Sequence, residues 1–177
     1  MEERKVEPWL RGTRTEIDAV RRAVLHAFEL AAEDIAKWCD PLSDEELEAR
    51  PSGLPSIGFH LRHIARSLDR LLTYAEGQQL SERQMKALKS EMEAGAGREA
   101  TFMEFAKGIE VAVDRVLAIS PLSYEELREV GKKKLPTTVG GLLVHCADHT
   151  QRHTGQAVTT AKIVTAMRAS TPAASVI

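Results

Sequence analysis

Five of the six histidines in this chain stand in two places. His60 and His63 lie within one helical turn of each other. His145, His149 and His153 recur at i, i+4 and i+8. At 100° per residue such a triplet drifts by only about 40° per step, so a helix carries all three on one face. Imidazole nitrogen is a good ligand for Zn, Ni, Fe or Cu. Two histidines at i, i+4 can chelate one ion from a single turn, and a third from the earlier pair would join two parts of the chain around it. Leu142, Cys146, Gln156 and Thr160 share the histidine face. Burying such polar groups unpaired costs on the order of 1–3 kcal/mol each, so the face is either wet or satisfied by hydrogen bonds or an ion.

Four long segments with helical periodicity must position these side chains: residues 13–39, 56–76, 99–119 and 138–167. In the first, Ile17, Val20, Val24, Phe28, Ala31, Ile35 and Trp38 step by three or four. Thr13 and Glu16 predict a capping box at its start. The second ends at Gly77, a natural left-handed stop. In the third, Phe102, Phe105, Ile109, Ala112, Val116 and Ile119 form a bundle seam. The segment 78–98 is polar, with a short helical pattern (Met85, Leu88, Met92) closing at Gly95 and Gly97. It is long enough to cross back along a bundle, so the second and third helices need not be antiparallel neighbours. The tail from Ser170 onward lacks periodicity and is expected to fray.

An internal likeness divides the chain in two. Pro41-Leu42-Ser43-Asp44-Glu45-Glu46-Leu47 matches Pro121-Leu122-Ser123-Tyr124-Glu125-Glu126-Leu127. In each, Ser and the Glu three places on predict a capped short helix. After a two-residue shift, Ser56 to Ala65 lies over Thr138 to Ala147, which aligns His63 with His145 and makes His145 a rival ligand. Helical periodicity favours a different choice. The apolar arc Ile57, Leu61, Ile64, Leu68, Leu71, Leu72 lies nearer His60 than His63.

Composition sets the frame. The chain has 177 residues and a formal net charge of −2, with 43 % hydrophobic and 28 % charged residues. That fits one all-α domain with its own core. There is no basic surplus to neutralise a phosphate backbone, so no nucleic-acid partner is expected. No apolar run approaches the ~20 residues of a membrane span, and no signal peptide is read. Two unpaired cysteines, Cys39 and Cys146, suit a reducing cytoplasm.

The stretch His145-Cys146-Ala147-Asp148-His149-Thr150-Gln151-Arg152-His153-Thr154-Gly155-Gln156 resembles the His-x-x-x-His-x-Gly-Gln signature of the DinB-like superfamily. Gly58-Phe59-His60-Leu61-Arg62-His63-Ile64-Ala65 is similar to that family's Leu-x-His-hydrophobic segment. The resemblance implies a four-helix bundle of DinB/YfiT-like type, with a long crossover between helices two and three. It implies a divalent metal ion, Zn or Ni before Fe or Cu, held near one end by His63, His149 and His153. It further implies homodimers and, in a few relatives, thiol-dependent transfer or isomerisation of a small molecule. Arg152 departs from the pattern, standing where a second histidine often precedes the last ligand. On this reading His60 and His145 are hydrogen-bonded neighbours of the ligands.

The remaining candidates have plainer expectations. Cys146 reads as a small core thiol and Cys39 as inert. His26 lies off the main stripe and is expected to be solvated. Gln156 could orient a ligand. The pairs Glu45-Glu46 and Glu125-Glu126 read as helix-start residues favoured by the dipole.

Overall fold

The computed structural model describes residues 6–93 and 97–170. Its elements in order are α1 (Ala19–Trp38), α2 (Asp44–Glu48), α3 (Ile57–Ala75), α4 (Glu82–Lys89), α5 (Arg98–Ala118), β1 (Leu127–Val130), β2 (Leu135–Thr138) and α6 (Val139–Ser170). The four long helices fall close to the predicted segments. Gly95 and the tail beyond Ser170 lie outside the described residues, so the expectations placed there concern no described structure.

Cross-helix contacts fix the directions. Gln151 reaches Ala27 and Lys162 lies over Trp38, so positions on α1 and α6 rise together and the two run parallel. Arg66 meets Glu104 and Arg115 meets Glu76, so α3 and α5 are also parallel neighbours. His60 meets His153 while His63 meets His149, so α3 and α6 are antiparallel. This parallel pairing of α3 with α5 is what the long crossover permits. The two backbones approach closely at one point. A Cβ added at Gly108 would stand 2.6 Å from that of Ala65, which explains a glycine inside a helix despite a propensity cost of about 1 kcal/mol.

The core is one apolar cluster drawn from α1, α3, α5 and α6, including Phe28, Ile35, Leu61, Leu68, Phe105, Val116 and Leu143. Phe28, Leu61 and Leu143 are fully buried, which makes α1 and α3 a rigid backing for the helix that carries the histidine triplet.

Two expectations are corrected here. First, α1 is not capped by Thr13 and Glu16. Its N-cap is Asp18, whose carboxylate accepts from the backbone of Val20 and Arg21 and from the Tyr124 hydroxyl. Thr13 instead pairs with His26 Nε2 at 3.2 Å, and His26 is buried rather than solvated. Second, only the first Pro-Leu-Ser string forms a helix. Ser43 and Glu46 make a full capping box on α2. In the second string the Ser123 hydroxyl donates to the Ser120 carbonyl and does not cap a helix. A 3-10 turn over Pro121–Ser123 follows, and then the chain enters an antiparallel hairpin. The expected helical bundle stands, and the hairpin is a small addition to it. Gly131 and Lys134 turn the hairpin with positive φ, and Arg128 donates to the Ala75 carbonyl at the C-terminal end of α3. Gly77 ends that helix at φ +77°, as predicted. No helix among the described residues is long and apolar enough to cross a membrane.

Candidate metal centre

Ser56 caps α3 through the Phe59 amide, which sets the first two turns on which His60 and His63 stand. Thr138 plays the same part for α6 by accepting from Gly141. Gln151 anchors the middle of α6 to α1 with a 2.6 Å bond to the Ala27 carbonyl. These fixings bring His63, His149 and His153 together. Each offers one donor atom, and the three atoms lie within 4.8 Å of one another. His63 Nε2 and His149 Nε2 are 3.3 Å apart. Two nitrogens bound tetrahedrally at about 2.0–2.1 Å from one Zn are separated by about 3.3 Å. The donor set and this spacing fit a divalent ion.

Two partners aim the rings. His63 Nδ1 lies 2.7 Å from Glu91 Oε2. A carboxylate only accepts, so Nδ1 carries a proton and Nε2 is the ring atom turned to the cluster. Arg70 holds the other oxygen of Glu91. His60 Nδ1 lies 3.0 Å from His153 Nδ1. When His153 donates in that bond, its Nε2 is free as a ligand atom. Phe59 stacks on His63, with ring centroids 5.3 Å apart, and presents its face or edge to His60 and His153 as well. Such outer partners fix tautomer and orientation in metal-binding histidines.

The electrostatics disfavour the charged form of three imidazoles. Burial, and after it the charge of neighbouring cations, pushes His60, His149 and His153 each down to about 4. Burial would raise the Glu91 carboxyl, but the bonds from His63 and Arg70 outweigh it and hold it below its ordinary value. The consequence for stability has a definite sign. Between about pH 6.5 and 4 the unfolded chain takes protons that the fold refuses at these three histidines, so lowering the pH through that window favours unfolding. Metal-free protein should show a falling urea midpoint from pH 7 to pH 5. Equal midpoints at the two pH values would contradict the lowered values of these three histidines.

The remaining candidates fall outside the cluster. His145 has a side chain 45 % exposed and stands 3.7 Å from Asp148. The internal likeness therefore aligns a cluster residue with a surface one. His60 is 2 % exposed, deeper than His63, as the apolar arc suggested, but it backs His153 rather than joining the three. Cys146 is a buried core thiol pushed up to about 12 by burial, and Cys39 is held up likewise. Gln156 is exposed and bonds no ligand among the described residues. Arg152 pairs with Asp148 on the surface at 2.7 Å and helps depress His149 and His153. Glu45 and Glu46 open α2 as expected, whereas Glu125 and Glu126 precede β1. Sequence reasoning missed Glu91 and Arg70. No periodic signal marks Glu91, which sits just past the end of α4.

The sequence model of the DinB superfamily matches residues 27–157. A crystal structure of a conserved protein from Enterococcus faecalis is similar over 85 % of this chain and 99 % of that one, with a TM-score of 0.70 and 17 % identity. At that identity the likeness concerns the fold. The comparison with curated proteins returns no match.

Proposed function

The chain belongs to the DinB superfamily, and from that premise we propose that it binds one divalent metal ion through His63, His149 and His153 and uses it in a reaction of a small molecule. One observation carries this reading: three imidazoles from α3 and α6 converge with spacing that suits a single ion. Such an ion supplies Lewis acidity and lowers the pKa of a water or thiol at a position the protein leaves open. The protein's own residues do the rest. Glu91 and Arg70 hold His63, His60 holds His153, and Phe59 walls one side. His63 keeps a side-chain exposure of 17 %, which leaves the cluster reachable from solvent.

The finer reading is thiol-dependent transfer, with hydrolysis as its rival, and Zn or Ni as the ion. Elemental analysis of purified protein tests the metal. Replacement by Co(II) tests the chemistry, because a thiol entering the coordination sphere adds a sulfur-to-cobalt charge-transfer band. The expected result is a new band on titration with a low-molecular-weight thiol. A spectrum indifferent to thiols, with a large fall in melting temperature on chelation, would mark a structural ion instead.

Glu91→Gln supplies a further prediction. The amide keeps the shape but loses the charge that Arg70 and His63 share. Metal affinity should fall by roughly 10–100-fold, the usual effect of losing an outer partner. Competition with a chromophoric chelator measures it, and unchanged affinity would remove Glu91 from the site.

A further inference from the structure

Beneath the crossover lies a second feature, on which the metal reading does not depend. α4 is tied to α3 by Gln84, which donates to Asp69 and Thr73 at 2.9 and 2.8 Å. Between α3, α4 and α5 this leaves a cleft of about 730 Å³, lined by none of the three clustered histidines. That volume is in the range of small-molecule sites.

The cleft has a consistent chemistry. Five cationic side chains line it against two carboxylates, Asp69 and Glu104. Both carboxylates are already engaged, Asp69 by Arg115 at 2.8 Å and Glu104 by Arg66 at 2.6 Å. Arg83, at the rim, has no ion pair among the described residues. Among the described residues Lys107 pairs only with the exposed Glu110, with both side chains about two-thirds in water. Arg70 is the inner cation. Its side chain is 11 % exposed, and its guanidinium gives one N–H to Glu91 and another to the Ser67 hydroxyl. A guanidinium has five donors, so three remain unspent among the described residues. Val111 and Ala87 supply an apolar side.

We propose that the cleft between α3, α4 and α5 binds a small organic carboxylate, with Arg83 and the unspent donors of Arg70 taking its charged group and Val111 facing its hydrocarbon part. Charge-assisted hydrogen bonds to a carboxylate are the strong kind, and a planar fork suits them. The apolar side selects an acid with a carbon body over a bare inorganic anion. Bound there, the carboxylate sits one guanidinium away from the Glu91 that orients His63.

Calorimetric titration of metal-free protein tests this, with sodium hexanoate, hexanol and sodium sulfate as the probes. Hexanoate should bind at a single site, and hexanol and sulfate at least about tenfold more weakly. Arg83→Glu should weaken hexanoate roughly tenfold, and Val111→Trp, which fills the cleft from a partly exposed position, should abolish binding. His149→Ala should leave hexanoate binding unchanged, which separates this site from the metal centre. In the unaltered protein the side-chain N–H resonances of Arg70 and Arg83 should move on titration, a reading that needs no variant. The proposal is overturned if hexanoate gives neither heat nor a shift in those resonances. It is also overturned if sulfate or hexanol binds as well, or if binding survives Val111→Trp in a folded protein.

Discussion

His149→Ala and His153→Ala should leave purification without metal, and the unaltered chain should carry about one ion. Each substitution removes one of three donors, so the loss exceeds the roughly 10–100-fold that an orienting partner contributes. The variants should nevertheless fold. Both positions are only partly buried on a 32-residue helix, and alanine is the best helix former. The metal-free variants should also be less sensitive to acid than the metal-free parent. Each has one fewer imidazole that burial holds down to about 4, and hence one fewer group whose protonation favours unfolding below about pH 6.5. His145→Ala is the control. Its side chain is 45 % exposed and outside the cluster, so metal content should stay at the parental level. Elemental analysis with melting curves in the presence and absence of zinc decides the matter. A His149→Ala protein that retains its ion would remove the cluster from consideration as its site.

The spacing of His145, His149 and His153 was legible because helical geometry is local, and α6 places the last two as that geometry requires. Choosing between His60 and His63 was not a local problem. Periodicity ranked His60 nearer the core, and it is indeed the more buried of the two. Yet a ligand that must stay reachable belongs at the edge of the apolar arc, where His63 stands. The family pattern points to His63, and its donor atom lies within 4.8 Å of those of His149 and His153. Glu91 was illegible for another reason. It meets His63 across 28 positions, from a polar segment whose path is set by tertiary contacts. Arg62, Arg66 and Arg70 step by four along α3 and grip that segment at the Glu93 carbonyl, the Ala87 carbonyl and the Glu91 carboxylate. The hairpin was missed because a capping signature was read without its competitors. Ser123 found the Ser120 carbonyl, and Tyr124 found Asp18, which had itself displaced Thr13 as the cap of α1.

Phe28→Ala should produce the largest loss of stability, and it separates the core from the site. Phe28 is fully buried. Its neighbour Ala27 accepts the Gln151 amide, so this level of α1 backs the turn of α6 between His149 and His153. Truncating a buried phenylalanine costs about 3–5 kcal/mol, through lost transfer energy and the cavity left behind. Against a total stability of about 5–15 kcal/mol, that lowers the urea midpoint steeply. The ligands themselves stand on α3 and α6, so the variant should still bind zinc once folded. A ligand that binds only the folded state stabilises it by about 2.7 kcal/mol at a hundred times its dissociation constant. Zinc should therefore restore much of what Phe28→Ala removes, whereas it should restore nothing in a Phe28→Ala, His149→Ala double variant. Urea unfolding of the three proteins with and without zinc measures both terms. Equal zinc response in the single and double variants would show that the ion acts elsewhere than at the three imidazoles.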